Sequence, residues 1–419
     1  NKPIATLLDT KGPEIRTGVL KDDKKVTLKE GQKFTLTTRE VVGDENIDMI
    51  TYAGLPADVE NGNTILIDDG LIELRVEEVV DGTDIICTVI NGGELGSKKG
   101  VNVPNVSIKL PGITDKDKDD IIFGVEQGFD FIAASFVRNA ACIQEIKQLL
   151  WEHGSDIPVI AKIENAEGIE NLDEIIKVAD GIMVARGDMG VEIPAEDVPH
   201  YQKEIIKKCN ATYKPVITAT QMLDSMIRNP RPTRAEVTDV ANAIYDGTDV
   251  VMLSGETANG KYPLEALKMM AKIAERTEKD IKGRASDISK VHSKRSISSA
   301  VCNATVQTAE NLNAKAIVCP TISGFTARLT SKLKPNAEII GCSPYDNVLR
   351  KMQIYWGVRP LKTATEVSTD KIIEHALVVS EQAGFVEEGD TVIVSAGIAT
   401  SSDPSAKRGL TNTMRVVTI

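Results

Sequence analysis

The sequence predicts an α/β protein built on a (β/α)8 barrel, with a small β module inserted into it and a second α/β region at its C-terminal end. Short and almost entirely apolar runs alternate with longer helical stretches, which is typical of parallel strands covered by helices. Residues 21–99 interrupt that rhythm with short alternating segments separated by Asp-Gly, Asn-Gly and Gly-Gly turns, as expected for antiparallel strands.

Six apolar runs are predicted to be parallel strands of the barrel. They cover residues 4–8, 130–136, 158–164, 181–185, 215–219 and 249–253. Helices are predicted near residues 140–151, 170–179, 199–211, 234–246 and 263–279. A (β/α)8 barrel has eight strands, so we expect two more strands to precede Asn1. The predicted domains are a barrel at 1–17 and 101–283, the β module at 18–100 and a C-terminal domain at 284–419.

Composition excludes several classes of protein. The 419 residues are 42% hydrophobic and 26% charged, without a secretory signal or an apolar run long enough to span a membrane, so we expect a cytoplasmic globular protein. A net charge of −12 argues against nucleic acid or an anionic membrane as the main partner. The six cysteines are scattered and form no Cys-x-x-Cys pair, which indicates neither zinc nor a disulfide framework.

The strongest chemical signal lies at the ends of two predicted strands. Lys162 and Glu164 are two residues apart, so they project from the same face of a strand. Asp188 follows the next strand, in an Arg-Gly-Asp-Met-Gly run. The two carboxylates could hold Mg²⁺ or Mn²⁺ beside the lysine, which suits phosphate chemistry. A structural salt bridge between Lys162 and Glu164 is an equally good interpretation of the spacing.

Other strand ends carry polar residues as well. Residues 9–18 form a cluster of oxygen ligands and cations after the first run. Asp69 lies on a predicted hairpin turn, where a simple turn is a better interpretation than a ligand.

The C-terminal region repeats the βα pattern after a polar linker at residues 283–294. Strands are predicted at residues 316–319, 338–342, 391–395 and 414–419. The segment PTISGFT at residues 320–326 joins the first of these to a helix at 327–333, and its hydroxyl and N–H groups could bind a phosphate. An ordinary helix N-cap is the alternative.

Six sequence motifs together resemble those of the pyruvate kinase family. They are LDTKGPEIRTG at 8–18, AKIEN at 161–165, ARGDMG at 185–190, TQML at 220–223, PTRAE at 232–236 and MLSGETA at 252–258. The resemblance covers essentially the whole chain in the correct order. It implies transfer of a phosphoryl group from phosphoenolpyruvate to ADP, which gives pyruvate and ATP in the last step of glycolysis.

The resemblance also implies roles for the residues of the catalytic centre. Glu164 and Asp188 match the divalent-metal ligands, and Lys162 matches the lysine that stabilises the phosphoryl group in flight. Thr220 matches the threonine near the enolate carbon, where it orients the water that protonates this carbon. The backbone of Gly187 and Asp188 matches the contact to the substrate carboxylate.

Further roles are implied for the nucleotide and for a monovalent cation. Arg16 resembles the arginine that reaches the nucleotide phosphates, and Asp69 would face the nucleotide metal. Asp9 and Thr10 match ligands of K⁺. Glu14 occupies the place where K⁺-dependent members carry Glu and K⁺-independent members carry Lys, so K⁺ dependence is expected. The β module resembles the family's mobile lid.

In the C-terminal domain, the resemblance implies a sugar phosphate effector and a homotetramer. The matching effector-loop residues are Thr321, Ser323, Gly324, Phe325 and Thr326. Ile322 departs from the pattern because it brings no positive charge, and residues 401–408, near the second part of that pocket, are irregular. The helix at 296–312 could form part of a subunit interface or an internal core.

Two other functions fit part of the pattern. A barrel lyase that acts through a metal-bound pyruvate enolate would use the same Glu and Asp, but it needs neither the β module nor Arg16. A non-catalytic relative that binds metabolites need not keep Lys162, Glu164, Asp188 and Thr220 together. All four are present, so this alternative depends only on the absence from these residues of two barrel strands, with the arginine, asparagine and serine that they carry in the family. The kinase is the favoured interpretation.

Overall fold

The structure is a computed structural model that describes residues 2–106, 108–281, 296–365, 368–397 and 410–419. The predicted linker at 283–294 and the irregular segment at 401–408 lie outside these ranges. The described chain contains sheets of six, seven and five strands and one two-stranded pair.

The six-stranded sheet is entirely parallel, and its strands follow one another in chain order. Its strands are Leu7–Asp9, Phe131–Ala134, Val159–Ile163, Gly181–Ala185, Val216–Ala219 and Val250–Val251. This confirms the six predicted strands and their parallel, barrel-type order, and all but Gly181–Ala185 are shorter than predicted. Because the strands are parallel, all of their C-terminal ends lie at one edge of the sheet.

Helices alternate with these strands along the chain. They are Asp115–Glu126, Ala140–Glu152, Ala166–Glu170, Leu172–Val178, Arg186–Glu192, Val198–Ala211, Arg234–Asp246, Gly255–Ala258 and Pro263–Ile281. Capping boxes at Thr114 and Thr233 start two of them. The Asp115–Glu126 helix was not predicted, because its sequence opens with a run of charges and buries little apolar surface beyond Ile121.

The described residues contain no membrane-spanning helix. Within the described ranges, none of the helices is both long enough and apolar enough to cross a bilayer.

In the structure, the strands of the β module run from Ile15 to Asn102, between the first two parallel strands. Its strands are Ile15–Arg16, Val26–Leu28, Lys33–Thr37, Ile47–Met49, Thr64–Ile67, Ile72–Val80, Asp84–Asn91, Gly93–Leu95 and Gly100–Asn102. A short helix, Leu55–Asp58, accompanies them. Alternate residues such as Phe34 and Leu36, or Leu74 and Val76, are buried in one core. This two-residue alternation is what makes the segment fold as strands.

The C-terminal region forms the five-stranded sheet. Its strands are Ala316–Pro320, Glu338–Ser343, Val358–Lys362, Thr391–Ala396 and Thr413–Thr418, and only the last is antiparallel to its neighbour. Its helices are Ile297–Asn311, Phe325–Lys332, Asp346–Lys351 and Thr369–Gln382. The Val358–Lys362 strand was not predicted because it contains Pro360. It lies at the sheet edge, where proline is tolerated.

Candidate active site

Lys162 is the centre of a polar cluster at the C-terminal edge of the parallel sheet. Its Nζ atom lies 3.0 Å from Oε1 of Glu164 and 3.1 Å from Oδ1 of Asp9. It also donates a hydrogen bond of 2.7 Å to Oγ of Ser135. The side chain is only 13% exposed, so these contacts form away from bulk solvent. The structure therefore brings together residues from the ends of three strands.

Glu164 is almost completely buried, with 1% of its side chain exposed. Its second oxygen, Oε2, accepts a 2.5 Å hydrogen bond from the backbone N–H of Phe136. Burial raises the pKa of Glu164 to about 7, with a further contribution from the negative charge of Asp188 and opposition from Lys162. Burial also raises the pKa of Asp188. A buried and a half-buried carboxyl group near each other are a site that a cation would stabilise.

The charge of Lys162 is favoured despite its burial. Burial alone would lower the pKa of the ammonium group, but Glu164 and Asp9 outweigh that effect and raise it. The cluster therefore holds a fixed positive charge beside Glu164 and Asp9 at neutral pH.

The donor set around this centre suits a metal that keeps part of its water shell. In the described part of the chain, no group of three or more His, Cys, Asp or Glu side chains is arranged to hold a metal ion. Mg²⁺ commonly uses one or two carboxylates and takes its other ligands from water and substrate oxygens. Glu164 and Asp188 match that pattern.

The six cysteines are free and buried.

Asp9 and Thr10 lie beside this cluster at the end of the first strand. The carbonyl oxygen of Thr10 accepts a 2.7 Å hydrogen bond from the Ser135 hydroxyl, and Thr10 Oγ1 accepts one of 3.1 Å from the Ser135 N–H. Oxygens of the two predicted K⁺ ligands therefore converge near Ser135. Gly12 completes the turn with φ of +74°, and a Cβ atom at Gly12 would lie only 2.8 Å from Cβ of Ser135.

Thr220 occupies the end of the Val216–Ala219 strand in a left-handed backbone conformation, with φ of +68°. Its hydroxyl oxygen accepts a 2.7 Å hydrogen bond from the N–H of Gly187. The loop after Thr220 is held by the buried carboxylate of Glu256, which accepts hydrogen bonds from Leu223 N (3.0 Å) and Ser254 N (2.8 Å). Thr220 and the Gly187 backbone are thus in direct contact.

A cleft of about 600 Å³ opens between the β module and the parallel sheet. Arg16 and Asp69 line it from the module, and Asp188 lines it from the sheet side. Arg16 Nε lies 2.5 Å from Oε2 of Glu14, and Arg16 Nη1 donates to the carbonyl of Lys98 at 2.9 Å. Asp69 is close enough to Asp188 to raise its pKa further. The predicted nucleotide residues therefore share one cleft with a predicted metal ligand.

The β module also touches the barrel directly. Asn102 Nδ2, on the last module strand, donates a 2.7 Å hydrogen bond to Oε1 of Glu192. Glu192 ends the short helix that begins at Arg186 and contains Asp188. The module is thus linked to the helix that carries the predicted metal ligand.

The predicted effector residues lie in the C-terminal region, and none of them lines the cleft. The N–H of Gly324 donates to Thr321 Oγ1 at 2.9 Å, and Gly324 has φ of +80° before the helix that starts at Phe325. Thr326 is buried against Thr411, with 2.8 Å between their hydroxyl oxygens. Ser323 is exposed at the surface. This loop is therefore a second location, apart from the Lys162 cluster.

Four residues that shape the site received no specific role from the sequence. They are Asp117, Ser135, Arg186 and Glu256. Ser135 and Glu256 stand out in the sequence only as polar residues at strand ends, and Arg186, which directly follows a buried strand, shares that signal. Asp117, which accepts a 2.9 Å hydrogen bond from Gly12 N, lies in a charged helix start and gave no such signal.

Comparison with known proteins is consistent with this geometry. Residues 1–267 match the family described as "Pyruvate kinase, barrel domain", and residues 299–417 match "Pyruvate kinase, alpha/beta domain". A pyruvate kinase of Clostridium acetobutylicum is 51% identical over 99% of this chain and 87% of its own length. One from Bacillus licheniformis is 51% identical over 100% of this chain and 71% of its own length.

A solved structure shows the same architecture. The crystal structure of a pyruvate kinase from Cryptosporidium parvum aligns with a TM-score of 0.91 at 40% sequence identity. The alignment covers 99% of this chain and 84% of the other. Matches to both family models and about half identity over the full chain agree with the motifs and with the fold. The chain therefore belongs to the pyruvate kinase family of phosphotransferases.

Proposed function

We propose that this chain transfers the phosphoryl group of phosphoenolpyruvate to ADP, which yields pyruvate and ATP in the last step of glycolysis. The observation that carries the proposal is the buried ammonium group of Lys162, held 3.0 Å from Glu164 at the sheet edge where Asp188 also lies. Such a transfer is catalysed mainly by positioning and charge neutralisation, which this cluster can supply. Family membership supports the same reaction, and we expect the enzyme to work in the cytoplasm, where glycolysis runs.

Glu164 and Asp188 would hold a divalent cation, Mg²⁺ or Mn²⁺. The fit rests on two carboxyl groups, Glu164 buried and Asp188 half-buried, whose pKa values are both raised, since a cation would relieve that unfavourable placement. When bound, such an ion supplies positive charge to the phosphoryl and enolate oxygens. The chain itself contributes two ligands and leaves the other positions to water and substrate.

Lys162 would stabilise the negative charge on the phosphoryl group during transfer. Its ammonium group is fixed by Asp9, Ser135 and Glu164, so it needs little reorganisation when that charge develops. Gly187 and Asp188 lie in the first turn of a helix, where backbone N–H groups lack intrahelical partners, and the Gly187 N–H donates to the Thr220 hydroxyl. We assign the substrate carboxylate to this turn.

Thr220 would guide protonation of the enolate that remains after transfer. Its hydroxyl lies 2.7 Å from the Gly187 N–H, at the turn assigned to the substrate carboxylate. In this position it can orient the water that delivers a proton to C3 of the enolate.

Arg16 and Asp69 would bind the nucleotide, with Arg16 on its phosphates and Asp69 facing its metal. Support comes from the cleft of about 600 Å³ that both residues share with Asp188. Arg16 would exchange its Glu14 partner for the phosphates of ADP, which are stronger acceptors. The β module at 18–100 would act as a lid that excludes water from the transfer. A lyase would need neither the module nor Arg16 in this cleft.

A monovalent cation, K⁺, would bind at Asp9 and Thr10. Three oxygens gather there, because the Ser135 hydroxyl lies 2.7 Å from the Thr10 carbonyl and 3.3 Å from Asp9 Oδ1. Glu14 carries a carboxylate where a lysine ammonium could replace the cation, which makes the activity depend on K⁺.

We further propose that the C-terminal domain, residues 284–419, binds a sugar phosphate that regulates the enzyme. The loop formed by Thr321, Ser323, Gly324, Phe325 and Thr326 leads into a helix start, and its exposed Ser323 can offer a hydroxyl group to a phosphate. A homotetramer would use the barrel, residues 1–17 and 101–283, and the C-terminal domain. The exposed Ile297 and Leu312 flank a helix suited to one such interface.

The test is pyruvate formation from phosphoenolpyruvate and ADP, with Mg²⁺ and K⁺ present. We expect turnover in the parent chain and a loss of about a thousandfold or more in Lys162→Met, as for other charge-stabilising groups in phosphoryl transfer. Lys362→Met serves as the control, because Lys362 forms an exposed ion pair with Asp346. A parent chain that is folded but forms no pyruvate would overturn the proposal.

A further inference from the structure

Thr220 has a backbone conformation that its side chain disfavours. Its φ is +68° and that of Gln221 is +53°, so two consecutive residues are left-handed. This region is unusual for any residue other than glycine and is an outlier for a β-branched one. Such a conformation persists only where the surrounding contacts hold it in place.

The side chain of Arg186 supplies those contacts from one side. Its Nη2 donates a 2.7 Å hydrogen bond to the carbonyl of Thr220, and its Nε donates one of 3.3 Å to the carbonyl of Ala219. These two carbonyls belong to the peptide units on either side of the Thr220 Cα atom. A planar guanidinium group can satisfy both at once, whereas a lysine could not reproduce that geometry.

Arg186 is itself held by two helices of the barrel. Its Nη1 lies 2.7 Å from Oδ1 of Asp239 and donates to Gln202 Oε1 at 3.3 Å. Gln202 in turn donates to Asp246 Oδ2 at 3.1 Å. The Arg186 side chain is only 10% exposed, so its position is determined by these partners.

The Thr220 hydroxyl is fixed from the other side by the backbone. Its oxygen accepts a 2.7 Å hydrogen bond from Gly187 N–H, and its proton is donated to the Ala219 carbonyl at 2.7 Å. The Ala219 carbonyl therefore accepts from both Thr220 and Arg186. A shift of Arg186 would move the carbonyl that orients the hydroxyl.

We propose that Arg186, held by Asp239, is a positioning residue for the proton-transfer half of the reaction. The inference rests on the proposed function, in which Thr220 orients the proton-donating water. In that step the enolate electron pair forms a C–H bond at C3, an O–H bond of water breaks, hydroxide leaves to solvent, and the enolate oxygen becomes the carbonyl of pyruvate. Arg186 acts only through Thr220.

The experiment follows the proton step by itself. Exchange of the pyruvate methyl protons with D₂O, measured by ¹H NMR in the presence of ATP, Mg²⁺ and K⁺, reports enolate formation and reprotonation. We expect Arg186→Lys to slow this exchange at least about tenfold, with Asp239→Asn showing a smaller loss in the same direction. The KM for phosphoenolpyruvate should change less than about twofold, because Arg186 does not touch the substrate.

A double-mutant cycle distinguishes positioning through Thr220 from a general structural role. In a Thr220→Ala background, Arg186→Lys should slow the exchange by less than about twofold, since the hydroxyl that it orients is gone. Equal fold-losses in both backgrounds would overturn the proposal. An unchanged exchange rate in Arg186→Lys alone would overturn it as well.

Arg350→Lys is the matched control. Arg350 Nε lies 2.9 Å from Oδ1 of the buried Asp130, in an ion pair remote from Thr220. We expect this variant to leave the exchange rate unchanged, and a loss equal to that of Arg186→Lys would count against the proposal. If Arg186→Lys does not fold, Asp239→Asn replaces it in the cycle, because Asp239 is 35% exposed and acts on the loop through its bond with Arg186. A parent chain that forms no pyruvate refutes the proposed function, whereas an active parent with unaffected variants refutes only the positioning role.

Discussion

Lys332 and Asp249 form a buried ion pair between the C-terminal domain and the barrel. Lys332 Nζ donates to Asp249 Oδ2 and, at 2.9 Å, to Oδ1 of Asn210. The two charged side chains are 2% and 0% exposed. Lys334 lies 3.4 Å from the other Asp249 oxygen. Lys332 ends the helix that begins at the predicted effector loop, so this pair joins that helix to the barrel.

Replacement of Lys332 by Met should lower the free energy of unfolding by about 3 to 5 kcal/mol, because it leaves much of the buried charge of Asp249 uncompensated. Urea unfolding followed by circular dichroism measures the change. Lys362→Met removes an exposed pair with Asp346 and should leave the transition almost unchanged. If both variants unfold at the same urea concentration, the buried pair stabilises the protein no more than the exposed pair does.

Asp48 of the β module should make stability depend on pH. It is fully buried, its Oδ1 accepts a 2.8 Å hydrogen bond from Met49 N, and its Oδ2 has no hydrogen-bond partner among the described residues. Burial raises its pKa to about 6. The unfolded chain has the ordinary lower value, so between about pH 4 and 6 the folded state binds more protons. Stability from this group therefore falls as pH rises through that range.

Asp48→Asn removes the cost of burying an ionised carboxylate. We expect its free energy of unfolding to exceed that of the parent by about 1 to 3 kcal/mol at neutral pH, and to differ little near pH 4. Thermal unfolding at several pH values tests this. Asp84→Asn should behave in the opposite way, because hydrogen bonds from Arg39 and Thr37 lower the pKa of Asp84. If the free energies of unfolding of the parent and Asp48→Asn change equally with pH, Asp48 is not the source of the pH dependence.

Glu164→Gln should weaken binding of Mn²⁺, a probe for the divalent site, by at least about tenfold, which corresponds to about 1.4 kcal/mol. The reason is the loss of one of only two carboxylates that would hold the ion. Free Mn²⁺ can be followed by electron paramagnetic resonance without any turnover. The control is Glu167→Gln, since Glu167 lines the cleft together with Asp188 but has Arg138 as its ion-pair partner, at 4.0 Å. If both variants bind Mn²⁺ like the parent, the metal lies elsewhere.

The proposed K⁺ site predicts a specific requirement for monovalent cation. Replacement of K⁺ by tetramethylammonium should slow pyruvate formation at least about tenfold, because the bulky ion cannot approach Asp9 and the Thr10 carbonyl as an inner-sphere ligand would. Glu14→Lys should recover part of the rate without K⁺, since its ammonium group supplies the missing charge. Glu14→Gln, which adds no charge, should not. Full activity of the parent without K⁺ would refute the site.

Local patterns in the sequence were sufficient for much of the fold. The Gly181–Ala185 strand and the Arg234–Asp246 helix have the bounds that the sequence predicts. Apolar periodicity determines such elements, because burial of one face depends on residues only two to four positions apart. The same rule placed Lys162 and Glu164 on one face. Elements without a strong pattern were missed, such as the charged Asp115–Glu126 helix and the proline-containing edge strand Val358–Lys362.

The sequence by itself therefore determined the kinds of element, their order and the residue types that meet at the strand ends. Only the tertiary structure decided which of those ends touch. Ser135 contacts Lys162 across 27 positions, Arg186 contacts Thr220 across 34, and Lys332 contacts Asp249 across 83. No local pattern encodes these pairs, because they form only when whole strands and helices pack together and exclude water from the groups between them.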